Sequence, residues 1–531
     1  MQQRITVGTG PLTEDDVVAV ARGGAGVELD AAALDAITTA RALVDALADD
    51  VRPHYGISTG FGALATKHIP AEQRAQLQLS LVRSHAAGSG PEVEREVTRA
   101  LMLLRLSTLA TGRTGVRPRT AQALTALLDK GITPVVREFG SLGCSGDLAP
   151  LAHVALALLG EGEVRDAAGE LMPAADALKA AGLEPVTLAE KEGLALINGT
   201  DGMLGQLLLA CRDLDLLLRT ADVTAAMSVE AMLGTDRVFA ADLQALRPQP
   251  GQAAAAANMR ALLAGSPIIA SHADPADCPY VQDAYSMRCA PQVAGAARDT
   301  LAHARSVAGY ELASAVDNPV LLFPTSGSPD DTDSGSPRLR GSVESNGNFH
   351  GAPIAYVLDF LAIPAADVAS MSERRTDRML DVARSRGLPP FLADDAGVDS
   401  GHMIAQYTQA ALVSELKRLA VPASVDSIPS SAMQEDHVSM GWSAARKLRR
   451  SVDALTRVLA IELLTAARAL ELRAPLRPGP ATGAVVAALR ETVAGPGPDR
   501  YLAPEIESAV EFVRSGQAVA AANSALEDPL T

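Results

Sequence analysis

The 531-residue chain is 48% hydrophobic and 21% charged, the composition of a globular protein and not of a disordered polymer. Aromatic residues make up only 3%, so Ala and Leu, the strongest helix formers, fill most apolar positions and point to an α-rich protein. A formal net charge of −17 sets the surface against phosphate backbones and anionic lipid, and neither nucleic-acid nor membrane partners are expected.

The opening MQQRITVGTGPLTEDD has no apolar h-region, so no signal peptide is expected, and no uninterrupted apolar run reaches the length of a bilayer span. Cys144, Cys211, Cys278 and Cys289 lack the close pairing of a zinc site or a disulfide framework. A cytoplasmic, thiol-reduced protein without a bound metal is the expectation. Thr13 before Glu14, Asp15 and Asp16 is a helix start. A second helix follows Leu29, where Leu34, Ile37, Ala40, Val44 and Leu47 share one face. The pattern breaks at HYGISTGFGAL (His54 to Leu64), whose glycines suit a backbone that bends sharply around a tyrosine. Helical periodicity returns from Glu92 to Leu109, and Asp147 with Pro150 reads as the first turn of a helix reaching Leu159. LINGTDGM and VQDAYSMRCAPQ interrupt further helical stretches, and Thr325 to Arg340 is a low-complexity surface loop. From Ala352 the chain reads as long helices, the longest from about Ser443 to Arg473, stopped by Pro475. Three parts are expected: residues 1–205 with the polar loops, a central long-helix bundle over 206–475, and a short helical appendix over 476–531.

Phosphate-loop, dinucleotide-fold and HExxH motifs are missing from the sequence, and none of the six lysines sits in a loop suggestive of a Schiff base. No external cofactor is announced. The loop GSLGCSGDLAP (Gly140 to Pro150) offers chemistry of its own. If the amide nitrogen of Gly146 attacks the carbonyl carbon of Cys144, a five-membered ring closes, and only a residue without Cβ leaves that nitrogen open enough. Loss of water from the ring and from the Ser145 hydroxyl leaves an exocyclic methylene, a strong electrophile made from the chain alone. The helix N-terminus near Asp147 favours the negative charge that develops there. Taken by itself, Ser-Gly in a loop is far more often a turn.

The segments YGISTGFG, RSHAAG, GSLGCSGDLAPLAH, EGLALINGTDGM, VQDAYSMRCAPQ, NGNFHGAP and AMQEDHVSMG occur in the order and spacing of the aromatic amino acid lyase family, which the chain resembles from about Val7 to Arg473. The resemblance implies an all-α fold of fumarase/aspartase-like helical architecture, with an N-terminal loop-rich part carrying the prosthetic group. That group is 4-methylidene-imidazol-5-one (MIO), formed here from Cys144, Ser145 and Gly146. Alanine usually stands first in this triplet, and Cys144 adds a thiol beside the electrophile, expected to be reactive.

On the same resemblance Tyr55 is the catalytic base and Arg288 pairs with the substrate carboxylate, for which a planar guanidinium is suited. Asn198 and Tyr285 hydrogen-bond the ring or the substrate, and Gln282 and Phe349 line the pocket. His85 and Glu435 select the substrate: RSHAAG is the histidine-type version, and Glu435 can accept a hydrogen bond from an imidazole that a phenyl ring cannot supply. The implied reaction is elimination of ammonia from L-histidine to give trans-urocanate, in a homotetramer whose sites take loops from several subunits. Plainer readings stand beside these roles: a loop aromatic for Tyr55, a surface ion pair for Arg288, a capping residue for Asn198, a core histidine for His85 and a helix-start carboxylate for Glu435. Sibling activities, a phenylalanine or tyrosine lyase or an aminomutase, use the same group. The fumarase class is rejected because the expected Pro-x-Lys-x-Asn does not follow SIPSSAMQEDH.

Overall fold

The structure, a computed structural model, describes residues 3–48, 54–60, 67, 69–274, 281–323 and 341–531. Phe61 to Leu64, Cys278 and the Thr325–Arg340 loop lie outside the described residues. Helices dominate, and the strands are short. Arg4–Val7 pairs in parallel with Gly26–Leu29, and antiparallel ladders join Ser89–Glu92 to Arg137–Phe139 and Val320–Leu322 to Ser342–Glu344. A three-stranded sheet sets Glu163–Arg165 between Thr133–Pro134 and Leu171–Pro173.

Contacts divide the chain into two compact units, each assembled from three separate stretches: residues 1–209, 305–358 and 423–446 in the first, and 210–304, 359–422 and 447–531 in the second. In the first unit the helix Glu14–Ala21 opens with a reciprocal cap, the Asp16 amide donating to Thr13 Oγ1 and the Thr13 amide to the Asp16 carboxylate. Such a cap contributes about 1 kcal/mol. The helix Ala31–Ala48 buries Ile37, Ala40, Leu43 and Val44, and the last three form a core cluster with Ile57 and Leu321. Helix Arg95–Ala110 is buried on every face from Val97 onward. An all-round buried helix needs its polar side chains satisfied internally, and Arg105, fully buried within it, binds four backbone and carboxylate partners described below.

In the second unit the central polar group is Glu462, fully buried in the helix Gly441–Glu471. It accepts from Thr224 Oγ1 at 2.8 Å, Ser228 Oγ at 2.7 Å, and Arg375 Nε and Nη2 at 2.5 and 2.9 Å. The C-terminal helices belong to this unit: buried Glu230 accepts from the Gly479 amide and Thr482 Oγ1, both at 2.6 Å. The helix Ala352–Leu380 has the length and hydropathy of a membrane span, yet 61% of its apolar window is buried inside the protein. It escapes a search for uninterrupted apolar runs because Asp359 and Asp367 punctuate it.

Arg375→Met leaves the Glu462 carboxylate buried without its cation and is expected to cost about 3–5 kcal/mol of stability, read as a lower denaturant midpoint of the second unit; an unchanged midpoint contradicts this reading. His402 is expected to govern acid sensitivity. It is buried, with Nδ1 on Thr465 Oγ1 at 3.1 Å. Burial, and then the nearby Arg468, Arg490 and Arg500, push its pKa down to about 3. The unfolded chain holds more protons on it between that value and the ordinary ~6.5. Stability contributed by the neutral ring is therefore present above ~6.5 and lost as pH falls towards about 3. His402→Gln should flatten that part of the acid-denaturation curve, and an unaltered slope excludes His402 as its source.

Candidate active site

The Gly140–Asp147 loop is held in the first unit by its backbone. The Gly143 carbonyl accepts from the Gly351 amide at 3.1 Å and from Ser439 Oγ at 2.7 Å, and the Met440 amide donates to the Leu142 carbonyl at 2.8 Å. The NGNFHG and HVSMG segments are thereby tied to the same loop. Gly146 has φ +77° and bridges to Gly199, and the next amide, that of Asp147, donates to the Gly199 carbonyl at 2.7 Å. A Cβ at position 146 would lie inside the van der Waals envelope of the Gly199 backbone. Glycine is required there twice over, by conformation and by space.

Asp147 caps the helix Leu148–Leu158, as the sequence indicates, but its side chain does not serve the helix end. It is fully buried, accepting from Ser141 Oγ at 2.9 Å and from the Met203 amide at 2.8 Å. Burial pushes its pKa up to about 7, against those hydrogen bonds. Ser141 and Asp147 fasten both flanks of Cys144-Ser145-Gly146 to the start of the helix Asp201–Ala231.

Glu435 meets this triplet directly. Ser145 Oγ donates to its Oε1 at 3.2 Å, and Cys144 Sγ and Ser430 Oγ donate to its Oε2 at 3.1 and 2.8 Å. The residue sits on a tight turn, not at a helix start: Ser431, Ala432 and Met433 are successive left-handed non-glycine residues, with φ of 51°, 53° and 69°. Such conformations cost of order 1–3 kcal/mol each and persist where surrounding structure enforces them. Here the Ser430 amide donates to the Glu435 carbonyl at 2.9 Å, closing the turn.

Cys144 is not the reactive thiol expected from sequence. It is buried, and burial, with the Glu435 carboxylate beside it, raises its pKa to about 12. A thiol held protonated is a poor nucleophile.

His85 ends the helix Ala71–His85, half-buried, with Nδ1 against the Leu81 carbonyl at 2.9 Å. A carbonyl only accepts, so Nδ1 carries the proton and Nε2 presents its lone pair. Burial lowers the His85 pKa, opposed by the Leu81 bond and the negative charge of Glu435, so the ring is neutral near pH 7. The neutral imidazole thus lies within range of the charge of the carboxylate that binds Ser145.

Asn198 and Tyr55 are positioned by a buried scaffold. Arg105 donates to the carbonyls of Ala195, Asn198 and Val316 at 3.1, 2.9 and 2.9 Å and pairs with Asp201 at 3.1 Å. The Asn198 side chain donates from Nδ2 to the Asn318 carbonyl at 3.0 Å, and the adjoining Asp317 forms a fully buried ion pair with Lys191 at 2.5 Å. Asn198 also follows the helix Glu192–Ile197 as its C-cap, the plainer role read from the sequence. Tyr55 is half-buried on a turn in which the Ile57 and Ser58 amides donate to the His54 carbonyl. Ile57 anchors that turn in the core, and Gly56 sits at φ +74°, where a Cβ would crowd Leu194 and Pro319. Phe349 is half-buried two residues before Gly351.

Gln282, Tyr285 and Arg288 lie in the second unit. Gln282 is exposed, Tyr285 is 71% exposed, and the Arg288 guanidinium stands 4.7 Å over the tyrosine ring. Arg288 has no carboxylate partner among the described residues and its Nε is buried without a hydrogen bond. The surface ion pair that would explain it plainly is not formed. Among the described residues no group of three or more His, Cys, Asp or Glu side chains is arranged to hold a metal ion. Sequence reasoning missed Ser141, Gly199, Ser430 and the buried Arg105; Asp147 was visible only as a helix-start acid.

The family model for aromatic amino acid lyases matches residues 12–491. A histidine ammonia-lyase of Streptomyces avermitilis is 65% identical over 98% of each chain, and one of Anaeromyxobacter sp. is 51% identical over 95% of this chain and 97% of its own. Among solved structures, a histidine ammonia-lyase from Trypanosoma cruzi superposes with a TM-score of 0.88 at 37% identity, covering 99% of this chain and 96% of that one. A tyrosine aminomutase from Streptomyces globisporus superposes with a TM-score of 0.91, also at 37% identity, covering 99% and 100%. Shared fold thus spans more than one reaction, and substrate choice has to be argued from side chains. With matching motifs, matching fold and a match across nearly its whole length, the chain belongs to the aromatic amino acid lyase family.

Proposed function

We propose that this chain eliminates ammonia from L-histidine to give trans-urocanate, the entry step of histidine degradation, using an MIO group formed from Cys144, Ser145 and Gly146. The observation that carries the reading is the Glu435 carboxylate hydrogen-bonded to Cys144 and Ser145 themselves, with the neutral His85 within range of its charge. An imidazole substrate offers both a donor for the carboxylate and a partner for the His85 lone pair, whereas a phenyl ring would leave both unsatisfied in a partly buried site. The curated relatives at 64% and 65% identity carry the same activity in their names.

The triplet fits the group: Gly146 holds a left-handed backbone with no room for Cβ, and Ser141 and Asp147 brace it on either side. When formed, the group supplies an electrophile that captures the substrate amine and turns it into a leaving group. Tyr55, on its rigid turn, is the base that takes the β-proton. Arg288 holds the substrate carboxylate, for which its unpaired guanidinium is available. Tyr285 and Asn198 orient the amine and carboxylate, with Gln282 and Phe349 lining the pocket. The working assembly is a cytoplasmic homotetramer whose sites take loops from several subunits, the exposed Gln282–Arg288 segment among them. The acidic surface suits a soluble, small-molecule enzyme.

Incubation with L-histidine is expected to raise urocanate absorbance; release of cinnamate from L-phenylalanine without urocanate, or conversion to β-histidine, would assign a sibling reaction instead. Ser145→Ala removes the departing hydroxyl and should abolish nearly all turnover while circular dichroism stays unchanged; near-native rates exclude the group. Tyr55→Phe should lower kcat by roughly 10²–10⁴-fold, and an unaffected kcat rules Tyr55 out as the base.

A further inference from the structure

The Glu435 carboxylate receives donors of two different fates. On Oε1 the donor is Ser145 Oγ at 3.2 Å, and in the proposed maturation that oxygen leaves as water. On Oε2 the donors are Ser430 Oγ at 2.8 Å and Cys144 Sγ at 3.1 Å, and both survive. Ring closure uses the carbonyl carbon of Cys144 and leaves its side chain untouched. Dehydration therefore strips one oxygen of the carboxylate and leaves the other doubly held.

We infer that Cys144 is a positioning residue for substrate selection: its thiol, with Ser430, locks Oε2 of Glu435 so that Oε1, vacated by Ser145, faces the imidazole N–H of the substrate. The inference rests on the histidine reading of the site. A terminal carboxylate torsion is soft and roughly two-fold, so a single donor on Oε2 leaves the group free to swing. A second donor, fixed to the neighbouring loop, defines which oxygen is presented. The thiol is suited to the task because it is buried and stays protonated, and so it donates at every working pH. As a thiolate it would repel the carboxylate it is meant to hold. The turn that carries Glu435 is itself constrained by three left-handed residues, Ser431 to Met433, so the carboxylate is held from a constrained backbone.

The test compares wild type with Cys144→Ala, Cys144→Ser, Ser430→Ala and the Cys144→Ala/Ser430→Ala double variant, all assayed with L-histidine and L-phenylalanine. Losing one hydrogen bond to a charged group should lower kcat/KM for L-histidine roughly five- to tenfold in Cys144→Ala, with the larger share in KM. Cys144→Ser restores a donor and should recover most of that loss. The ratio of L-histidine to L-phenylalanine turnover should fall in step, and the double variant should lose less than the product of the two single losses, since removing either donor already frees the carboxylate. An unchanged KM in Cys144→Ala, or a serine variant no better than the alanine one, overturns the inference. So does multiplicative behaviour of the double variant. Wild type that makes no urocanate would instead overturn the reading of the site itself, whatever Cys144 does.

Discussion

Two glycines set the geometry on which this site depends. Gly146 and Gly199, brought together from separate loops, approach so closely that the backbone of one occupies the space a side chain on the other would need. The Asp147 amide, donating to the Gly199 carbonyl at 2.7 Å, fixes the register. Because Asn198 and Asp201 flank Gly199, the same contact delivers the asparagine, the Arg105–Asp201 pair and the first turn of the Asp201–Ala231 helix to the triplet. A methyl group at position 146 would push these elements apart, and one at position 199 would strike the Arg105–Asp201 pair.

Around that contact the chain spends polar burial to gain rigidity. Arg105, Asp147, Lys191 and Asp317 are all fully or nearly fully buried, and each is held by backbone groups or by an opposite charge, with only the Arg105 Nε left without a hydrogen bond among the four. Buried ion pairs add little net stability compared with apolar packing, but breaking one is costly, so they define a unique arrangement. That suits a loop proposed to supply the reagent from its own atoms. The strained Ser431–Met433 turn is of the same kind: local cost accepted where Glu435 must stand.

Helix boundaries were the most legible feature of the sequence. The Thr13–Asp16 cap, the amphipathic face of the Ala31–Ala48 helix and the stop before Pro475 all follow from local chemistry, and the structure places them within a few residues of expectation. The Cys144-Ser145-Gly146 loop was legible through its unusual composition and through the motifs around it. Asp147 was read as a helix-start acid because capping is its commonest local use, whereas a tertiary hydroxyl and a distant amide outcompete the helix for its carboxylate. The reactive Cys144 thiol was an error of environment: sequence shows a thiol but not the carboxylate and the burial that keep it protonated. Nothing in SIPSSAMQED announces three successive left-handed residues, since none is a glycine or an asparagine. The two discontinuous units are equally invisible along the chain, because each is joined from three stretches separated by segments of the other.

The central claim is that three adjacent residues rebuild their own backbone, and the mass of the purified, unmodified chain tests it most directly. Ring closure and serine dehydration together remove two waters, so the intact protein should weigh about 36 Da less than its sequence demands, with the deficit confined to the peptide containing Cys144, Ser145 and Gly146. A folded protein at its full calculated mass, with an ordinary serine at position 145, would contradict the account.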